Sequence, residues 1–557
     1  MLAIAAVGLA PSAPVNAAPA APPTGAAPTG AAPTTNLPAH YAGQQLSWHS
    51  CFDKVPEGFP PGSERLECAT MRAPLDWARP TPGRTIEIAV SRLRPVTGAP
   101  RGTLFLNPGG PGAPGLTMPL VLLRRAAVAN AYELVGFDVR GTGGSTNLTC
   151  GDMMPSSNDP RDRSTANLNL IWAATDVFVR HCAYRSGELL KYVTTGQTVR
   201  DLDLLRHVLG WPKISWVGYS GGTWLGAHYA TAFPRRVDRF VLDSNAEFTT
   251  DWQNSFAWQP LGFERRFRQD FTTWAARYDA RFHLGATPQA VRQFYERLRA
   301  DLNREPINLG VTITGPLLDS IIISAMYSKN DFQPLAEVLG MFRMILDTPV
   351  GGPAPRLSAQ ARTLLRTAEK AGPGLQPVAA ADAFVATFYA TVCQDTPWNR
   401  SRAYWTAESA RQGRQYPLAG WSRVVQPCAE WPRPNVNLPR PTGRGVPPML
   451  MVQSANDAAT PYEGAIRAHR AFAGSRLLTV TNEGDHGMYA FGNECVDSLA
   501  DNYLLNGALP AQDRECAGTG IPAPVDPPQE GERQAPQREN PLRLNQRYTE
   551  ATAQPLR

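Results

Sequence analysis

The sequence predicts an α/β protein whose mainly parallel sheet carries a reactive serine at its edge, and three observations predict it. A Gly-x-Ser-x-Gly pentapeptide stands between a strand pattern and a helix pattern at Ser220. Two late apolar strands run into loops that bear Asp457 and His486. An early strand opens into a glycine-rich loop at Asn107-Pro108-Gly109-Gly110-Pro111-Gly112.

The serine comes first. Lys213-Ile214-Ser215-Trp216-Val217 reads as a short buried strand, Gly218-Tyr219-Ser220-Gly221-Gly222 as a sharp turn, and Thr223 to Phe233 as a helix. This is the pattern of a nucleophile elbow, where only residues without bulk fit beside the serine and its hydroxyl is pushed out above the sheet edge. The pentapeptide alone is also compatible with an ordinary glycine-rich turn, so its partners decide the reading.

In such a fold the acid and the histidine follow the serine in chain order, each on a loop after a late strand. The strand Pro447 to Val452 runs into Gln453-Ser454-Ala455-Asn456-Asp457, and Arg476 to Val480 runs into Glu483-Gly484-Asp485-His486-Gly487. Of the eight histidines, His207 and His228 lie in helical patterns and His40 and His49 near the N-terminal arm. His486 is therefore the expected base and Asp457 the expected acid. Asp243, at the end of the strand Arg239 to Leu242, is the rival for the acid role.

The fourth part is an oxyanion hole built from the N–H after the nucleophile and one from the loop after an early strand. Thr103 to Leu106 is that strand, and Gly110 and Gly221 are the expected donors. Gly110-Pro111-Gly112-Ala113-Pro114-Gly115 also matches the dinucleotide fingerprint G-x-G-x-x-G. Its two prolines remove N–H groups that a pyrophosphate would need, which argues against a nucleotide. Together the four parts specify an α/β-hydrolase fold.

The strands expected in order are Thr85 to Val90, Thr103 to Leu106, Glu133 to Phe137, Ile214 to Val217, Arg239 to Leu242, Met449 to Val452 and Leu477 to Val480. Between Asn245 and Arg444 the strand signal disappears, and helical periods carrying Trp252, Trp258, Phe263, Phe267, Phe271, Trp274 and Tyr278 take over. That stretch predicts a large, mainly helical cap inserted before the acid-bearing strand. The expected organisation is a leader over residues 1–17, an Ala/Pro-rich disordered arm over 18–46, the hydrolase core over 47–244 and 445–516, the cap over 245–444, and a flexible tail over 517–557.

Leu2 to Leu9 is apolar but far short of the roughly 20 residues that span a bilayer. Val15-Asn16-Ala17 supplies a small-residue cleavage site with Ala18 as the mature start, although no Lys or Arg precedes Lys54 to form the usual charged region. No cysteine lies near that site to carry a lipid anchor. The net charge of +6 comes from scattered arginines, 49 of the 54 basic residues, without the basic stripe that nucleic-acid binding requires. Eight cysteines without a C-x-x-C pair favour disulfides over a metal site, and no zinc or ATP signature appears, so no cofactor is expected.

The combination of Asn107-Pro-Gly-Gly-Pro-Gly, Gly136-Phe137-Asp138-Val139-Arg140-Gly141-Thr142-Gly143-Gly144-Ser145, Gly218-Tyr-Ser-Gly-Gly, Asp457-Ala-Ala-Thr460-Pro461 and Gly484-Asp-His486-Gly resembles the secreted tripeptidyl aminopeptidases of actinomycetes, proline-iminopeptidase-like serine peptidases. The resemblance runs from about Ser47 to Cys516 and implies neighbour pairing of the cysteines: Cys51 with Cys68, Cys150 with Cys182, Cys393 with Cys428, and Cys495 with Cys516.

It also implies a secreted exopeptidase acting on the free N-termini of peptides and proteins, releasing short peptides such as tripeptides. Such an enzyme needs a carboxylate for the substrate ammonium, and Asp395, beside Cys393, stands at the family's matching place. A turn-capping role before Pro397 is the competing reading of Asp395. Asp138 and Arg140 read as an internal pair holding their loop. A carboxylic-ester hydrolase using the same triad is the alternative function, and a non-catalytic binding protein is disfavoured because all four parts are intact.

Overall fold

The computed structural model describes residues 37–309, 312–347, 382–432, 436, 438–526 and 540–552. The expected leader and most of the expected arm lie outside the described residues.

Among the described residues there are twelve strands: β1 (His49–Ser50), β2 (Glu67–Pro74), β3 (Thr85–Leu93), β4 (Thr103–Asn107), β5 (Glu133–Phe137), β6 (Ile214–Tyr219), β7 (Val237–Asp243), β8 (Ile307–Asn308), β9 (Thr312–Ile313), β10 (Met449–Ser454), β11 (Ser475–Thr481) and β12 (Arg514–Ala517). Ten of them form one sheet in the order β1-β2-β3-β5-β4-β6-β7-β10-β11-β12. The pairings from β1 through β3 to β5 are antiparallel, and the rest are parallel. This is an α/β-hydrolase sheet, with the strands expected from sequence at its centre.

The physical reason is burial on both faces. Every residue of β4, β5, β6 and β10 is buried, as a parallel sheet covered by helices on each side requires. Side chains alternate between two cores: Ile214 and Trp216 of β6 and Met449 and Met451 of β10 enter one. Val217 and Tyr219, with Leu450 and Val452, enter the other.

The cap folds around a core of its own, in which Phe267, Phe271 and Trp274 pack with Leu298, Leu302, Ile322 and Leu335. Phe263 to Trp274 therefore stabilises the cap, whereas Trp252 belongs to the hydrolase core. The only strands in the described part of the cap are β8 and β9, a two-residue antiparallel hairpin.

Two expectations about the termini need correction. Residues 39–42 of the expected arm form a short helix, and Tyr41 is buried with its hydroxyl 2.9 Å from Thr85 Oγ1. In the expected tail, Pro541–Thr552 is a helix with Leu544 and Tyr548 buried. Composition misled here because a helix that is mostly polar can be held by two apolar side chains four residues apart and a good cap. Asn540 caps it, accepting the Leu542 N–H at 2.9 Å, and Pro541 follows at the first helical position.

Four disulfides join Cys51–Cys68, Cys150–Cys182, Cys393–Cys428 and Cys495–Cys516. The last ties β12, whose Arg-Glu-Cys-Ala sequence has no strand signature, to the helix Glu494–Asn506.

Candidate active site

Parallel packing brings the functional loops to one edge. Asn107 lies opposite Gly218, Tyr219 opposite Asp243, and Asp243 opposite Val452, so the loops after β4, β6, β7 and β10 are neighbours at the carboxyl ends of the strands. Ligands of open α/β sheets bind at such an edge.

Ser220 has φ 56 and ψ −124, a backbone conformation that L-residues avoid. It is held there by its N–H, which donates to the Asp243 carbonyl at 2.9 Å, and by close packing around the glycines. A Cβ on Gly218 would lie 2.2 Å from Trp216 Nε1, and one on Gly222 2.8 Å from the Asn107 carbonyl oxygen. Any side chain at either position would push the elbow off the sheet.

Gly221 opens the helix Gly221–Ala232, so its N–H is one of the unpaired donors of a helix start. The Gly110 nitrogen is 3.1 Å from where a Gly221 Cβ would stand, so the two expected oxyanion donors are adjacent. Asp138 holds the other end of the Gly110 loop by accepting the N–H groups of Gly115 at 2.7 Å, Leu116 at 3.1 Å and Gly144 at 2.8 Å. With Gly115 and Leu116 donating inward, the fingerprint-like loop offers a nucleotide phosphate little. Asp138 and Arg140 do not pair with each other; Arg140 instead forms a two-pronged contact with Asp201 at 2.7 and 2.6 Å.

His486 Nδ1 lies 2.9 and 3.0 Å from the two Asp457 oxygens. Asp457 is fully buried and is aimed by the Ala459 N–H, the Thr460 N–H and the Thr460 hydroxyl, all within 3.0 Å. Asp243 does other work. Its Oδ2 accepts the N–H groups of Met488 at 2.9 Å and Tyr489 at 2.6 Å, and Ser244 Oγ beside it accepts from Gly487. The rival acid thus anchors the histidine loop to the end of β7, next to Ser220. Tyr219 adds to this by donating its hydroxyl to the Tyr489 carbonyl at 3.0 Å.

Several contributors carried no sequence signal. The Tyr327 carbonyl of the cap accepts the His486 N–H at 3.0 Å, and its ring meets the imidazole edge-on with centroids 5.3 Å apart. Behind His486, Asp485 contacts Arg266 at 2.6 Å and the Lys329 N–H at 2.7 Å, while Lys329 Nζ reaches Glu483 at 2.5 Å. Burial, with the Glu483 charge beside it, pushes the Asp485 carboxyl up against the pull of Arg266 and Lys329. Buried pairs of this kind fix geometry more than they add stability, and here they tie the cap to the His486 loop.

Asp395 is not where a substrate ammonium could meet it. It is 2% exposed, with its oxygens occupied by the Thr195 N–H at 2.8 Å, the Thr195 hydroxyl at 2.6 Å and Trp252 Nε1 at 3.2 Å. At the end of the helix Ala383–Asp395, the carboxylate ties it to the starts of the helices Thr195–Val208 and Trp252–Phe256, which is a structural task.

Burial raises Asp138, Asp243 and Asp395 to about 6 each, against the downward pull of the N–H groups they accept. In all three the folded state holds its proton more tightly than the unfolded chain does, so their stabilisation is present at low pH and lost as pH rises through about 6. Buried His228, lowered to about 4, opposes them, because folding expels its proton below neutral pH. Three groups outweigh one. The melting temperature is therefore expected to rise as pH falls from about 7 to about 5, and a fall in scanning calorimetry would contradict the burial assignment.

Among known proteins, residues 102–331 match the alpha/beta hydrolase fold family and residues 416–516 the TAP-like protein family. The chain is 35% identical over 475 residues to a tripeptidyl aminopeptidase of Streptomyces lividans, covering 82% of this chain and 85% of that protein. It is 28% identical over 503 residues to the serine protease Hip1 of Mycobacterium tuberculosis, covering 85% and 91%. It is also 29% identical over 522 residues to a carboxylesterase B of Mycobacterium tuberculosis, covering 89% and 95%. Among the described residues no helix is long and apolar enough to cross a membrane.

Proposed function

Because this chain belongs to the tripeptidyl aminopeptidase family of α/β hydrolases, we propose that it is a secreted serine exopeptidase that releases short peptides, tripeptides foremost, from free N-termini. Ser220 is its nucleophile, His486 its base and Asp457 the acid that orients the base. The observation that carries this reading is the two-oxygen contact of Asp457 with His486 Nδ1, on a loop anchored one residue from the strained Ser220 elbow.

The chemistry is acyl transfer in two steps. With its Nδ1 proton held by Asp457, His486 presents Nε2 as the acceptor and takes the Ser220 proton as the hydroxyl attacks the scissile carbonyl. The N–H groups of Gly110 and Gly221 hold the oxyanion, where one donor is typically worth ~10²–10³ in rate. His486 then returns the proton to the leaving amine, and water resolves the acyl-enzyme by the same route. Four disulfides support a location in an oxidising compartment outside the cytoplasm.

A carboxylic-ester hydrolase is the second reading, favoured by the carboxylesterase relative and by the burial of Asp395. Turnover of a tripeptide anilide with a free N-terminus, beside its N-acetylated twin and a simple aryl ester, separates the two. Cleavage of the free peptide alone is the expected result. Equal cleavage of both peptides would make the enzyme an endopeptidase, and cleavage of the ester alone an esterase.

A further inference from the structure

The helix Pro541–Thr552 lies outside the segment expected to carry chemistry, yet one of its ends touches the base loop and its middle touches the oxyanion loop. Asn540, 3% exposed, donates from Nδ2 to the carbonyls of His486 at 2.7 Å and Gly487 at 3.1 Å. Since the His486 N–H is taken by Tyr327, both main-chain polar groups of the proposed base are held by residues from outside its loop.

Five residues on, Asn545 is 4% exposed and donates from Nδ2 to the Pro114 carbonyl at 2.9 Å. Its Oδ1 accepts the hydroxyl of buried Thr117 at 2.8 Å. An asparagine inside a helix is less favourable than alanine, so its place here is set by what its amide holds. Pro114 and Thr117 end the loop whose glycines supply the proposed oxyanion donor, and Asp138 grips that loop from the opposite side through Gly115 and Leu116.

The helix is firmly seated. Leu544 and Tyr548 are buried, the Tyr548 ring stands 4.2 Å from that of Phe59, and Arg543 bonds Asp331 and the Ser324 carbonyl of the cap at 2.5 and 3.2 Å. It therefore has a fixed frame from which to hold both loops.

We propose that this C-terminal helix is a clamp that sets the base loop in register with the oxyanion loop, with Asn540 and Asn545 as positioning residues. The inference rests on the triad reading above. Neither asparagine touches substrate: each acts through the main chain of a neighbour, and loosening either lets a reacting group drift. Misplacement by about 1 Å can cost about 10²-fold in rate.

Asn540→Asp and Asn545→Asp in the full chain test this, since each keeps shape and the accepting oxygen while replacing the donor that grips a carbonyl. The readouts are the rate constant for labelling by a serine-reactive fluorophosphonate, kcat and KM on the free tripeptide anilide, and the melting temperature. Both variants are expected to lose about 10²-fold in labelling rate and in kcat, with KM changed by less than about threefold. Labelling per folded molecule at the wild-type rate in both variants would overturn the clamp, as would a loss confined to KM or one that only tracks the folded fraction. A wild-type enzyme that does not label at all would instead overturn the triad reading, so the two failures are distinct.

Discussion

Replacing Ser220 by alanine is expected to lower kcat by about 10⁶-fold while leaving the fold in place. The size follows from the proposed mechanism. Without the hydroxyl no acyl-enzyme forms, and what remains is the binding and oxyanion contribution, typically 10³–10⁴ over water. The fold survives because the unusual backbone at φ 56 costs any residue with a Cβ about the same, and Ser220 Oγ is not what holds the elbow. That work is done by the Ser220 N–H on the Asp243 carbonyl and by the packing around Gly218 and Gly222. The check is turnover of the free tripeptide anilide with circular dichroism and melting temperature alongside. If the variant kept its shape and more than about a tenth of its activity, Ser220 would not be the nucleophile.

The second large effect separates two buried aspartates by the direction of the hydrogen bonds they receive. In Asp457→Asn, the amide oxygen must face the Ala459 and Thr460 N–H groups, because those can only donate. The new NH₂ is then turned toward His486 Nδ1, which must become an acceptor, and the ring proton moves to Nε2. A histidine in that tautomer cannot take the serine proton, and the expected loss in kcat is about 10⁴-fold.

Asp243→Asn behaves differently. Both N–H donors, Met488 and Tyr489, sit on one oxygen, so the amide oxygen can accept them and the NH₂ can face Ser244 Oγ. The substitution also mimics the protonated form that burial already favours up to about 6. Activity is expected within about tenfold of wild type, with a changed dependence of melting temperature on pH between 4 and 6. The reverse ranking of the two variants in kcat would move the acid role to Asp243.

Much of this site is legible in the chain because its chemistry demands particular residues at particular local positions. A strand-to-helix turn that tolerates no bulk needs glycines beside the serine, and an acid or base at a strand end follows an apolar run of fixed character. The proposed site residues Ser220, Asp457, His486, Gly110 and Gly221 are singled out on that basis, as are the central strands, whose burial on both faces leaves continuous apolar segments. The last helix carried a faint signal, with Asn540-Pro541 as a cap and Leu544 and Tyr548 four residues apart, which the polar composition around it outweighed.

The sequence by itself determined the hydrolase sheet and pointed to the residues now proposed as the reactive groups, because each is encoded by neighbours within a few residues. Only the tertiary structure decided that Asp395 ties three helices together, that Asp243 holds the histidine loop, and that Asn540 and Asn545 reach across to the His486 and Gly110 loops. The physical reason is that a buried carboxylate or amide takes its role from whichever donors and acceptors surround it. Those partners stand tens to hundreds of residues away in the chain, brought near by burial of apolar faces that do not themselves specify which polar groups meet.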